Sequence, residues 1–289
     1  MATNRSAPLP PAAYDQLIDL ALREDLGTVD VEADLTAAWT VASDAEAHAR
    51  IIARQAGVVA GIEVARTVFA RLDQSISVCA EVADGDEVAE GQTLVRLQGR
   101  AQALLAGERT ALNFLQQLSG VATLTHRYVE ALSGTATRIT DTRKTTPSWR
   151  HLQKWAVRLG GGVNHRMGLY DAVLIKENHA AAAGGVCAAI RAARGQAAPI
   201  YVEAENLGEV EEALAGGPDR ILLDNMDAPT LRQAVALIRA DNPAVEIEAT
   251  GGYTLATVRE AAAAGVDFVS IGALTHSAPA LDLSMLFEG

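Results

Sequence analysis

Apolar and polar positions follow two different rhythms along this chain. In "PAAYDQLIDLALRED" apolar residues recur at helical spacing and stop at Gly27, which predicts a helix closed by glycine. Short β-rich runs follow in "HARIIARQAGVVAG" and "SISVCAEVADGDEVAEGQTLVRLQG", punctuated by Asp-Gly and Glu-Gly turns. The segment "AQALLAGERTALNFLQQLSGVATLTHRYVEAL" predicts one or two long amphipathic helices with a break at Ser119-Gly120. Residues 1–115 therefore read as an α+β domain, with the first few as a frayed lead-in.

After about residue 135 six short apolar runs recur: "TRITD", "AVLIK", "PIYVEAE", "RILLD", "VEIEAT" and "FVSIG". Helical segments such as "NLGEVEEALAGG", "DAPTLRQAVALIRAD" and "TLATVREAAAAG" separate them. This alternation implies a parallel sheet with right-handed crossovers. Six units are too few for a regular eight-fold barrel, and an open doubly wound sheet competes with an incomplete one. The polar residues favour the barrel, because each run ends in reactive side chains at its C-terminal side. Asp141, Arg143 and Lys144 follow the first run, and Lys176, Asn178 and His179 the second. Glu203 and Glu205, then Asp224 and Asn225, end the next two. Thr250-Gly251-Gly252 and the stretch to His276 end the last two. Barrel enzymes draw catalytic groups from strand C-termini and the loops after them. Strand starts carry almost no charge except Arg220.

Charge sharpens this picture. The formal net charge is −12, yet every lysine (Lys144, Lys154, Lys176) lies in one segment with Arg143, Arg150, Arg158 and Arg166. An acidic chain is unsuited to general nucleic-acid binding. An anionic ligand must instead meet a local cationic pocket, which fits a small, highly charged metabolite. No apolar run is long enough for a membrane span, and the N-terminus has no signal pattern. Cys79 and Cys187 read as isolated buried thiols in a reducing compartment, hence a cytoplasmic protein.

Arg143, Lys144 and Lys176 stand at strand ends, where cations meet carboxylates or phosphates. Arg150, Lys154 and Arg158 share i, i+4 spacing in "SWRHLQKWAVRLGGG" and read as a solvated helix face, one or two of them able to turn inward. His165 and Arg166 read as functional, His151 and His179 as structural. Glu203 and Asp224 end neighbouring strands, so they either hold Mg²⁺ with few protein ligands or balance the adjacent cations. Gly251 and Gly252, with Gly272 in "IGALTH", form either a phosphate site or tight turns. Lys176 is also placed for a Schiff base in an aldolase-like lyase. A non-catalytic anion-binding dimer is a further class, but binding alone does not need Glu203 and Asp224.

The ordered stretches "GERTALNFLQQLSGVATLT", "TDTRKTTP", "GGGVNHRMGLYDAVLIKENH", "LLDNM" and "GALTHSAPALD" resemble the quinolinate phosphoribosyltransferase family over nearly the whole chain. Thr250 stands where the family usually has serine, which keeps the hydroxyl. The resemblance implies an N-terminal α/β sandwich and an incomplete, about seven-stranded β/α barrel over 116–289, with residues 280–289 packing on the first domain. It implies transfer of the phosphoribosyl group of phosphoribosyl pyrophosphate (PRPP) to quinolinate, with decarboxylation to nicotinate mononucleotide in NAD biosynthesis. Arg143, His165, Arg166 and Lys176 would meet quinolinate. Lys144, with Glu203, Asp224 and Mg²⁺, would meet the pyrophosphate. Thr250, Gly251, Gly252, Gly272 and His276 would take the ribose phosphate. A homodimer is implied, with Arg109 of each subunit serving the neighbouring site, although Arg109 alone reads as a surface helix residue. A relative acting on another aromatic acid is the near alternative.

Overall fold

The computed structural model describes residues 8–288, so the start of the lead-in lies outside the described residues. The chain begins with α1 (Asp15–Leu26), α2 (Leu35–Thr40), β1 (Glu46–Ala53), β2 (Gly57–Val58) and α3 (Ile62–Leu72). Next come β3 (Ser77–Ala80), β4 (Glu87–Val88), β5 (Thr93–Arg100), α4 (Ala101–Ala131), β6 (Arg138–Thr140) and α5 (Arg150–Leu159). The repeating part holds β7 (Val173–Ile175), α6 (Glu177–Ala183), α7 (Val186–Ala193), β8 (Ile200–Ala204), α8 (Leu207–Gly216) and β9 (Arg220–Asp224). It ends with α9 (Ala228–Asp241), β10 (Glu246–Thr250), α10 (Val258–Ala263), β11 (Phe268–Ser270), α11 (Ala273–His276) and β12 (Leu283–Glu288).

Two compact units divide these elements. The first contains the chain to His126, Thr146–Gly161 and the segment from Ser277; the second contains Arg127–Thr145 and Gly162–His276. In the first unit an antiparallel sheet runs β12-β1-β5-β3. Gly27 ends α1 in the left-handed region at φ 74°, as its position predicts.

Helix α4 does not break at Ser119-Gly120. Small residues there permit close approach instead. The Ser119 hydroxyl accepts the Ala60 amide at 2.9 Å. A Cβ on Gly120 would lie 2.1 Å from the Pro279 carbonyl oxygen. The reading of α5 as a solvated face also needs correction. Lys154 is only 1% exposed, and Leu152 to Val157 are all buried. Gly160, just past α5, comes so close to α4 that a Cβ would sit 2.3 Å from the Ala122 carbonyl. The cysteines are free but not buried: Cys79 is exposed and Cys187 partly so.

The second unit is a six-stranded sheet in the order β6-β11-β10-β9-β8-β7, parallel throughout. Val163 adds an isolated parallel bridge to Thr140, a single-residue seventh position beside β6. Parallel pairing brings all the strand C-termini, with their polar residues, to one end. The strand starts are more charged than the sequence suggests, since β6 opens on Arg138 and β10 on Glu246. Arg220 is buried with its guanidinium over the rings of Tyr201 (4.7 Å) and Phe268 (4.0 Å), a cation–π arrangement. It donates to Glu246 at 2.6 Å and to Glu248 at 2.8 Å.

Candidate active site

A cavity of ≈ 590 Å³ opens at the C-terminal end of the parallel sheet. Its wall includes Arg143 and Lys144 from the loop after β6, and His165 and Arg166 from the loop before β7. Lys176, Glu203 and Asp224 enter from the ends of β7, β8 and β9. Thr250, Gly251 and Gly252 follow from β10, and Gly272 from the loop after β11. Every residue predicted for the site lines this cavity except Arg109 and His276. Arg109 lies on α4, exposed, beside a separate groove with Leu20, Phe114 and Trp149. His276 is exposed on α11 next to Gly272, where an added Cβ would lie 3.1 Å from its Nε2.

Local structure fixes these side chains. The Thr142 hydroxyl accepts the Lys144 amide at 3.1 Å, and the Lys144 carbonyl accepts the Thr275 hydroxyl at 2.8 Å. Lys176 Nζ donates to Glu203 Oε2. The Lys176 amide donates to His179 Nδ1 at 3.2 Å, a capping contact at the start of α6. Asp224 and Thr250 face each other in register at the ends of adjacent strands. Asn225 adopts φ 51° and donates from its side chain to Asp224 at 2.9 Å. Gly251, at φ 107°, packs so tightly there that a Cβ would lie 2.3 Å from Asn225 Oδ1.

The fully buried Asp141 anchors the loop that carries His165, accepting Asn164 Nδ2 at 2.6 Å and the His165 amide at 2.9 Å. His165 meets Tyr201 edge to face at 5.4 Å. Its Nε2 lies 3.5 Å from Glu248 Oε2, and its Nδ1 accepts the Arg166 amide at 2.7 Å. Arg166 also donates to the Ala172 carbonyl at 3.0 Å. Burial, then the neighbouring Arg143, holds the Arg166 guanidinium below its usual range. Burial pushes the Glu248 carboxyl up, against the opposing pull of Arg220.

Glu248, Thr142 and Ser270 also line the cavity, beyond the residues that the sequence pattern names, and Asn225 joins them from the end of β9. One signal was available for Glu248. It stands two residues before Thr250 on the same strand, so both point to one face.

Models for the quinolinate phosphoribosyl transferase N-terminal and C-terminal domains match residues 34–119 and 121–286. The chain belongs to this family. It is similar to the probable nicotinate-nucleotide pyrophosphorylase [carboxylating] of Synechocystis sp., 42% identical over 285 residues that cover 96% of this chain and 94% of that protein. The corresponding Bacillus subtilis protein is 40% identical over 93% of this chain and 92% of its own. The solved nicotinate-nucleotide pyrophosphorylase of Francisella tularensis superposes with TM-score 0.92 at 37% identity, covering 97% of this chain and 98% of that one. For a quinolinate phosphoribosyltransferase family member, a sheet domain followed by a parallel barrel-like domain is the expected architecture, and both are present. Among the described residues no helix is long and apolar enough to cross a membrane.

Proposed function

We propose that this chain transfers the phosphoribosyl group of PRPP to quinolinate and decarboxylates the product, giving nicotinate mononucleotide, pyrophosphate and CO₂. One observation carries the reading: a single cavity combines Arg143, Lys144, Arg166 and Lys176 with the carboxylates Glu203 and Asp224. A dicarboxylate and a polyphosphate both need cations. A ribose that becomes cationic in transit needs carboxylates beside it.

In this reading Arg143, Arg166 and Lys176 hold quinolinate and Lys144 holds the pyrophosphate. The Thr250-Gly251-Gly252 turn and Gly272, with His276 alongside, take the 5-phosphate. The pyridine nitrogen attacks the anomeric carbon with its lone pair, and the bonding pair of the C–O bond leaves with pyrophosphate. No proton is lost, so no general base is required. The bond to the 2-carboxylate then breaks. CO₂ departs, the electron pair stays on ring carbon 2 beside the new pyridinium, and a proton replaces the carboxylate.

The donor set suits Mg²⁺. Among the described residues no group of three or more His, Cys, Asp or Glu side chains is placed to enclose a metal. Two carboxylates, one already engaged by Lys176, fit an ion completed mainly by water and phosphate. Glu203 and Asp224 would hold it, and when bound it neutralises the departing pyrophosphate.

A homodimer, with Arg109 serving the neighbouring subunit, is part of the proposal. It is supported by the exposure of Arg109 and of the apolar Leu20, Leu35 and Trp39 in the same unit. A cytoplasmic location accords with two free cysteines. The Schiff-base alternative lacks support, because Lys176 Nζ is already engaged by the Glu203 carboxylate.

The test is release of CO₂ and pyrophosphate from quinolinate, PRPP and Mg²⁺. Equal release of both products, dependent on all three components, is expected. Turnover of nicotinate without CO₂, and none of quinolinate, would overturn the reading.

A further inference from the structure

A chain of contacts leads from the buried Arg220 to the cavity wall. Arg220, packed between Tyr201 and Phe268, donates to Glu248 Oε2 at 2.8 Å. The same oxygen lies 3.5 Å from His165 Nε2. The other imidazole nitrogen, Nδ1, accepts the Arg166 backbone amide at 2.7 Å. An N–H donor at Nδ1 requires that nitrogen to carry a lone pair, so the imidazole proton resides on Nε2, facing Glu248. The Glu248 side chain is 0% exposed and stands beside His165 in the cavity wall.

We propose that Glu248 is a positioning residue for the substrate arginine: it sets the tautomer and orientation of His165, whose Nδ1 in turn holds the backbone of Arg166. This rests on the proposed reaction for its substrate but not for its geometry. It changes the part assigned to His165. With Nδ1 engaged by Arg166 and Nε2 turned to Glu248, the imidazole supports a carboxylate-binding arginine instead of serving as one more cation. A ligating histidine oriented by a carboxylate behind it follows the same physical logic elsewhere.

The experiment uses the full chain with ¹⁵N-labelled histidine and steady-state kinetics. Wild-type turnover of quinolinate is scored first. Its absence sinks the proposed function, while the His165 signals still test the relay. In the wild type the His165 resonances should report the proton on Nε2. Glu248→Gln should mix the two tautomers and raise the KM for quinolinate about tenfold, with the KM for PRPP within about twofold. In an Arg166→Ala background the same substitution should change quinolinate KM by less than about twofold, because its route of action is already gone. Glu246→Gln removes the charge of the other partner of Arg220 and should leave both KM values and the tautomer unchanged. An unchanged tautomer with unchanged KM in Glu248→Gln overturns the proposal. So does an equal KM effect from Glu246→Gln or in the Arg166→Ala background. If Glu248→Gln does not fold, His165→Ala and His165→Asn decide. Asparagine restores an acceptor near Nδ1 and should recover most of the quinolinate KM lost in the alanine variant, and equal losses overturn the idea.

Discussion

Lys176 Nζ reaches Glu203 Oε2 across the ends of two adjacent parallel strands, β7 and β8. The lysine side chain is 45% exposed, and an ion pair that open to solvent is worth roughly 0–1 kcal/mol. In the proposed reaction its value lies in catalysis instead. Lys176→Ala should lower kcat/KM by about 100-fold or more while unfolding free energy shifts by less than about 1 kcal/mol. Kinetics paired with denaturant melts check this, and a large stability loss with activity kept would reverse the assignment.

Gly251 gives a prediction of a different kind. At φ 107°, with Asn225 Oδ1 2.3 Å and the Asn225 amide nitrogen 2.9 Å from where a Cβ would stand, no side chain fits. Gly251→Ala should cost about 1–3 kcal/mol in stability. Because Asn225 also braces Asp224, the KM for PRPP should rise more than that for quinolinate. Matched substrate titrations on the folded variant read this directly.

Arg109 and Lys176 lie in different compact units, and the proposed dimer has Arg109 act on the neighbouring site. Arg109→Ala and Lys176→Ala, each nearly inactive alone, should complement when their subunits are mixed and reassociated. Random pairing leaves one intact site in half the dimers, so about a quarter of wild-type activity should return. No recovery after confirmed subunit exchange would place Arg109 in its own subunit's site or outside catalysis.

Asp84 makes stability depend on pH. Its carboxylate caps α3, accepting the Gly61 amide at 2.7 Å and the Ile62 amide at 3.0 Å. Burial outweighs these bonds and pushes its pKa from 3.8 to about 6. The folded carboxyl therefore holds its proton more tightly than the unfolded one. Its contribution to stability is full below pH 3.8 and is lost as pH rises through about 6. Asp84→Asn keeps an acceptor oxygen without the charge. It should be more stable than wild type by about 1–3 kcal/mol at pH 8, with the gap closing toward pH 4. Denaturant midpoints across that range measure the gap, and one that does not vary with pH would contradict the assignment.

The barrel-like unit was legible because each strand is an apolar run with a chemical group at its end, a local pattern that parallel pairing gathers at one place. Glu248 stayed hidden for a related reason. Between Ile247 and Ala249 it looks like the solvent half of an alternating strand, and only a curved sheet with both faces covered makes that half an interior. Lys154 misled because i, i+4 cations ordinarily mark an exposed face, whereas α5 is enclosed on nearly every side. At Gly120 the same small residue signals either a helix break or a close approach. The partner that decides, Pro279, is remote in sequence. The strand β12 carries no local cue to its register against β1.

That last pairing bears on how the protein is made. β1 lies between β5 and β12, so one side of the strand at Glu46–Ala53 waits for residues Leu283–Glu288. During synthesis the first unit emerges early but keeps an open row of backbone donors and acceptors until its final strand leaves the ribosome. The second unit, whose strands all lie between residues 138 and 270, has no such wait. Completion therefore runs against chain order: the unit begun second closes first, and the nascent first unit is the one that needs shelter.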